Sequence, residues 1–390
     1  MRMKLSALEI MTKLISFPTV SRDSNLELVD WVESYLSSHG ISSTRVPNED
    51  GTKAALYASV GPNIDGGVVL SGHTDVVPID GQDWDSDPFT VIERDGRYYG
   101  RGTCDMKGFN GLALWAMGQA AQTDIKRPLQ IALSYDEEIG CTGAPPMIDH
   151  MIANSDFPKA AAAIIGEPST MQSVTGHKGG VGWDVKVTGF EVHSSLLNQG
   201  VSAIHEGAKL LQWINETNAE IQAATPSDVA AMFDPPFSTI HCGTIQGGTA
   251  GNITAGECRF DLDVRTVADE SHEMYETRLF AFANKLDAEM KARHPDTGVE
   301  LTPDFDVPPL RPEENGAAEA LVRSITGDNG VHVVSYGTEA GQFQERGYSS
   351  VICGPGDIAQ AHQPNEFIEK SEFEAGEQFM RRLVDHLTKD

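Results

Sequence analysis

The chain has 390 residues, 40% of them hydrophobic, enough for a large core and a prior for two domains. Its 29 Lys and Arg stand against 57 Asp and Glu, a formal charge of −28, so the surface repels nucleic acid and anionic membrane and reads as a solvated, self-repelling coat. No stretch is apolar for the length of a membrane span, and five scattered cysteines fit a reduced, cytoplasmic setting rather than a disulfide framework.

The N-terminus reads as a helix and not as a secretory leader. Ser6-Ala7-Leu8-Glu9 has the pattern of a capping box, and Leu8, Met11 and Leu14 or Ile15 make a stripe that stops before Pro18. Val68-Val69-Leu70 is the first short apolar run bounded by Gly, Pro or charge; Leu129 to Leu133, Ala161 to Ile165 and Val351 to Cys353 follow. All four read as buried strands of an α/β sheet, some or all of them parallel. A helical stretch from Leu112 to Ala121 separates the first two.

Each run is followed by an acidic or imidazole motif. They are Gly72-His73-Thr74-Asp75, Asp136-Glu137-Glu138 and Gly166-Glu167-Pro168, with Gln360-Ala361-His362-Gln363-Pro364 after the last run. Gly102-Thr103-Cys104-Asp105-Met106-Lys107-Gly108 opens the helix that starts near Lys107. In open α/β sheets, ligands bind beyond the carboxyl ends of strands, which is where these residues fall. Histidine and carboxylate donors without thiolates suit a co-catalytic pair of divalent ions used for hydrolysis. Cys104 and Cys141 adjoin the site, and packing explains them better than ligation.

From about 180 to 304 the pattern changes. Val181, Trp183, Val185 and Val187 alternate with polar residues, and Val201, Ile204, Ala208, Leu211 and Ile214 follow with helical spacing. Then come an extended stretch over 237–244 and the strict alternation of Cys258, Phe260, Leu262 and Val264. Tyr275, Leu279, Phe282, Leu286 and Met290 make a second helix, and Val299-Glu300-Leu301 a last strand. The order β-α-β-β-α-β is that of a ferredoxin-like unit. Gly176-His177-Lys178-Gly179-Gly180 marks its entry and has the make-up of a hinge; His177 and Lys178 carry no further assignment.

With these motifs the chain resembles the di-zinc amidohydrolase family of acetylornithine deacetylase and succinyl-diaminopimelate desuccinylase, from the first helix to the last. The acetylornithine deacetylase branch is nearest, on Trp84 to Lys107, Ile165-Gly166-Glu167-Pro168-Ser169, Thr338-Glu339-Ala340 and Gly354-Pro355-Gly356 with Gln360 to Pro364. The resemblance implies an α/β fold with a mixed-sheet di-metal catalytic domain (1–179 and 305–390) and an inserted ferredoxin-like lid and dimerisation domain (180–304). It implies that His73, Asp105 and Glu167 hold one divalent ion and Asp105, Glu138 and His362 a second, with Asp105 bridging. Zinc is the first expectation; cobalt and manganese accept the same donors. Glu137 would be the general base, and Asp75, two residues beyond His73 on an extended chain, would accept the other imidazole N–H. His193 matches a lid histidine that in relatives reaches the partner subunit's site, and Asn252 and Arg265 match lid residues that hold substrate. Glu339 is left either to pair with a cationic substrate side chain or to serve as a structural salt bridge or a cap for the next helix. The resemblance also implies a cis Asp105–Met106 peptide bond.

The implied reaction is hydrolysis of the amide bond of an N-acyl amino acid by a homodimer joined through the lid. N2-acetyl-L-ornithine going to L-ornithine and acetate, a step of arginine biosynthesis, is the first expectation. Another N-acyl amino acid or small-peptide amidohydrolase, such as the desuccinylase, is the alternative. Outside enzymes, the alternative is a non-catalytic metal-binding dimeric scaffold, against which an intact Glu137 argues. The departures from the family pattern lie in the lid: Glu191-Val192 before His193, Leu196-Leu197-Asn198 after it, and Ile253-Thr254-Ala255 after Asn252 in place of a proline.

Overall fold

The computed structural model describes residues 2–389. They form two compact units. One runs to Gly176 and resumes at Leu310–Val333 and from Thr338 onward; the other comprises His177–Pro309 and Val334–Gly337.

In the first unit, apart from the end residues His177 and Val334, lies a mixed sheet in the order Ser43–Pro47, Ala54–Val60, Leu129–Ser134, Gly67–His73, Ala160–Pro168, Ser349–Gly354, Val174–His177 and His332–Val334. The third to sixth of these are parallel. They are buried almost throughout, as continuous apolar runs must be when both faces of a sheet are covered. The expected apolar runs sit inside these strands, and each strand extends beyond its run. Gly67–His73 ends on the imidazole itself, and Ala160–Pro168 carries Glu167 as its last residue but one.

Helix Lys107–Ala120 is buried along nearly its whole length and packs on three of the parallel strands. Glycine permits this approach. A Cβ on Gly72 would stand 2.3 Å from Asn110 Oδ1, and one on Gly166 2.1 Å from the Phe109 ring. Both glycines precede a site residue, so helix packing and ligand placement are set by the same motif. Helix Ala7–Ile15 opens with the expected capping box between Ser6 and Glu9. It lies against the same buried helix, where Gly111 leaves room for the Met11 backbone. The Asp105–Met106 peptide bond is cis, as the resemblance implies. A small antiparallel sheet of Phe367–Glu369, Arg97–Tyr99 and Ile92–Arg94 has no counterpart in the sequence reading. Strands of three residues are too short for a period to register.

In the second unit, Thr239–His241, Glu257–Thr266, Gly179–Thr188 and Gly298–Val307 form an antiparallel sheet in that order. Helices Ala203–Ala223 and His272–Arg293 pack on it. This is the ferredoxin-like arrangement expected from the element order. Trp183, Val185, Val187, Phe260, Leu262 and Val264 enter one core, as their alternation required. The stretch expected over 237–244 is shorter, and a further exposed strand, Ile245–Gly247, pairs with Glu257–Thr266. Asp261 makes the bend between them, accepting from the N–H groups of Gly243 and Thr244 at 2.9 and 2.6 Å. The last strand runs the full length of its neighbour, with a register shift near Pro303. Lys178 is buried and its ammonium donates to the carbonyls of Pro235 and Phe237, each at 2.8 Å, which ties down the loop around the cis Asp234–Pro235 bond.

Candidate metal centre

The parallel strands deliver their carboxyl ends to one place. His73 ends its strand, in register with Ser134 at the end of the neighbouring one, and Asp136 to Glu138 follow Ser134 directly. Asp136 takes φ 57°, which turns the chain so that Glu137 and Glu138 diverge. Asp105 enters from the turn before helix Lys107–Ala120, and His362 from a loop where it adopts φ 64°. His73 Nε2 lies 3.0 Å from Asp105 Oδ1 and 3.7 Å from Glu167 Oε1. His362 Nε2 lies 3.1 Å from Asp105 Oδ2 and 3.0 Å from Glu138 Oε2. The result is two trios, His73–Asp105–Glu167 and Asp105–Glu138–His362, with the donor atoms of each within 4.8 Å of one another.

Both trios fit a divalent cation. Two imidazoles and three carboxylates, without thiolates, are the donors that hydrolytic ions take. Glu167 Oε1 is buried with no hydrogen-bond partner among the described residues. Burial, then the charges of Asp105 and Glu137, pushes the Glu167 carboxyl well above its ordinary range. Burial also lifts Glu137, against the pull of His73 and with the help of Glu138, Asp105 and Glu339. Buried like charges at such spacing are costly unless a cation compensates them.

Asp75 differs in detail from expectation. His73 Nδ1 is 2.9 Å from the Asp75 backbone carbonyl and 3.5 Å from its carboxylate. The carboxylate instead accepts from Ser21 Oγ at 2.7 Å and from the N–H groups of Glu137 and Glu138 at 3.2 and 3.3 Å. Asp75 therefore pins the Glu137–Glu138 turn as well as facing the imidazole. Cys141, expected only to pack, is buried at φ 54° and its thiol donates to Glu137 Oε1 at 3.4 Å. Cys104 donates to the Asp357 carbonyl at 3.3 Å. Neither thiol belongs to a trio.

Glu339 requires a correction. It is 0% exposed, and its two carboxylate oxygens accept from Ser71 Oγ, just before the Gly72 motif, and Ser134 Oγ, two residues before the Asp136 motif. That leaves its carboxylate no surface for a substrate ammonium, and although Glu339 is the N-cap of helix Ala340–Glu345 its side chain makes no capping bond. It props the strand ends from beneath. Two serines inside apolar strands, Ser71 and Ser134, are the sequence signal for a buried acceptor. Glu366 was missed altogether. It is 1% exposed and bonds to the loop that carries Asp105.

The three lid candidates lie in the second unit. His193 is exposed, and its Nδ1 accepts from the Ser195 N–H at 3.3 Å. It forms a bridge with Ile253, and the Ser194 N–H donates to the Asn252 carbonyl at 2.8 Å, so the segments of His193 and Asn252 lie side by side. Thr254 accepts from the Val192 N–H and donates to the Phe190 carbonyl, which ties the two segments together. Arg265 is apart from them on its strand. Its guanidinium pairs with Asp263 at 3.0 Å and lies over the Phe305 ring, in the space that Gly180 leaves opposite.

Comparison with known proteins gives concordant results. Residues 69–386 match the model of peptidase family M20/M25/M40. Acetylornithine deacetylase of Myxococcus xanthus is 33% identical over 388 residues, covering 96% of each chain. An M20 family metallo-carboxypeptidase from Sulfolobus solfataricus superposes with a TM-score of 0.79 at 16% identity, over 98% of this chain and 99% of that one. A Bacillus subtilis protein solved as a dinuclear metal-binding M20 peptidase superposes with a TM-score of 0.64 at 14% identity, over 98% and 97%.

Proposed function

This chain belongs to peptidase family M20/M25/M40 and is a metal-dependent hydrolase, and from that premise we propose that it cleaves the amide bond of N2-acetyl-L-ornithine to L-ornithine and acetate. The observation that carries the chemistry is the pair of trios sharing Asp105, with the Glu137 carboxylate beside them and outside both. The near full-length likeness to an acetylornithine deacetylase supports the substrate.

His73, Asp105 and Glu167 would hold one ion and Asp105, Glu138 and His362 the other, with zinc the first candidate at both positions. The chemistry such ions supply when bound is Lewis acidity towards a carbonyl and a lowered pKa for water. Glu137 is the general base. It accepts a proton from the attacking water as the water oxygen bonds to the acyl carbon, and returns it to nitrogen as the C–N bond breaks; the second water proton follows to the amine, so that acetate and an ammonium leave. Cys141 and the Asp75-pinned turn keep that carboxylate aimed. Asp75 also fixes the ring of His73 from its far side. His193 polarises the scissile carbonyl, Asn252 positions the substrate, and Arg265 exchanges Asp263 for the substrate α-carboxylate, which its planar fork fits. The working form is a cytoplasmic homodimer joined through the lid.

A turnover panel of acetyl, succinyl and formyl amino acids with defined metal loading tests this reading. Acetylornithine should give the highest kcat/KM. Preference for a succinyl substrate would move the chain to the desuccinylase alternative, and two bound ions with no hydrolysis of any member would leave only a scaffold.

A further inference from the structure

One buried carboxylate outside both trios has more backbone partners than any ligand. Glu366 Oε1 accepts from the N–H groups of Gly102, Cys104 and Asp105 at 3.0, 2.9 and 3.1 Å. Its Oε2 accepts from Arg101 Nη1 at 2.7 Å, and both side chains of that pair are 1% exposed. Arg101 reaches on to Gln82 Oε1 at 2.6 Å, and Gln82 Nε2 donates to the His362 carbonyl at 2.9 Å. The backbone continues the tie. The Gly100 N–H donates to the Glu366 carbonyl, and Phe367–Glu369 pairs with Arg97–Tyr99. The segment that brings Asp105 and the segment that brings His362 are thus clamped at one point.

Burying an anion this close to Asp105 is unfavourable unless something is gained. The gain is visible in the division of labour. An aspartate just before a helix ordinarily turns its carboxylate onto nearby N–H groups. Here Glu366 takes the N–H groups of the turn, and both Asp105 oxygens are left to face the two imidazoles. The two trios depend on this unequally. His73 and Glu167 stand on buried central strands, with exposures of 1% and 4%. His362 sits on a loop with its side chain 51% exposed. We propose that Glu366 is a positioning residue that sets the affinity of the second ion, the one shared by Asp105, Glu138 and His362, and leaves the first nearly untouched. This rests on the dinuclear reading above.

The test is stepwise titration of the metal-free chain with Co(II), followed by visible absorption and calorimetry, for the parent and for Glu366→Gln. A glutamine offers one acceptor, for the turn or for Arg101 but not for both. The first equivalent should bind within about threefold of the parent and the second ten- to a hundredfold more weakly, the range for lost outer-shell partners. Arg101→Lys, which keeps the charge but loses the fork to Gln82, should show the same asymmetry more mildly if Glu366→Gln folds poorly. Glu369→Gln, which removes one charge from a half-buried pair with Arg97 that is hydrogen-bonded to the side chain of neither Glu366 nor Arg101, should bind both ions like the parent. Equal weakening of both steps, or none, overturns the inference alone. A parent chain that takes up only one ion overturns the dinuclear reading and the inference with it.

Discussion

Glu137 and Glu138 are adjacent in sequence and opposite in circumstance. Glu138 Oε2 lies 3.0 Å from His362 Nε2, whereas Glu137 faces the Cys141 thiol. No pattern in the sequence separates two neighbouring glutamates; the left-handed turn at Asp136 and the grip of Asp75 on both N–H groups do. Glu137→Gln should therefore bind two ions and lose roughly a hundredfold or more in kcat, the scale of a missing general base. Normal turnover in a folded, metal-loaded variant would remove it from the mechanism. Glu339 was legible as belonging to the site but not as to its direction. With both oxygens held by serine hydroxyls, Glu339→Ala should destabilise the fold by about 1–3 kcal/mol, the cost of unsatisfied buried partners, measured by urea unfolding. It should lower kcat/KM for acetylornithine and acetylmethionine by one common factor. A selective loss on acetylornithine would restore the ammonium contact.

At the scale of elements, strands that are buried on both faces were readable, because an unbroken apolar run flanked by Gly or Pro admits few other readings. So was the second unit, whose period changes from two to helical spacing and back. The short strands were not. Arg97–Tyr99 and Ile245–Gly247 exist because a partner strand supplies their hydrogen bonds, not because of their own residues. The helix Lys107–Ala120 shows how element packing reaches the chemistry. Gly166 precedes Glu167 and touches Phe109 so closely that Gly166→Ala forces the helix or the strand end to move. Overpacking of this kind costs about 1–3 kcal/mol. Metal content after dialysis should fall in the variant, since the strand end carries Glu167 and the helix start carries Asp105. Unchanged metal content and melting temperature would show that the site tolerates the shift.

For the molecule as a whole, the proposed dimer has physical support in the second unit. Leu196, Leu197, Ile204, Ile245 and Ile253 are 39–50% exposed there, on or near the segment that carries His193 and strand Ile245–Gly247, whose second edge has no strand partner among the described residues. Apolar side chains and an open strand edge in one region are what a self-complementary C2 face uses. If His193 acts in its partner's site, mixing Glu137→Gln with His193→Ala should recover activity that neither has alone. Random exchange approaches roughly a quarter of the parent value, because half the dimers are mixed and each of those has one intact site. No recovery after proven subunit exchange would mean that His193 serves its own chain or none. The formal charge of −28 sets the conditions for such exchange, since self-repulsion weakens association at low salt.

The sequence by itself marked the residues that gather at the candidate metal centre. His73, Glu138 and Glu167 follow apolar runs and Asp105 opens a buried helix, where an uncompensated polar group is costly, and His362 follows the last run on a loop. It also determined the two fold types, because burial writes its period into the chain. Tertiary structure decided everything that depends on direction: which oxygen of Asp105 meets which imidazole, that Asp75 holds a turn as well as a ring, that Glu339 points down into serines, and that Glu366 joins two loops more than 250 positions apart (its contacts with Gly102, Cys104 and Asp105 span 264, 262 and 261). Periodicity records whether a side chain is buried. It carries no information about which polar atom, from a distant part of the chain, will be there to meet it.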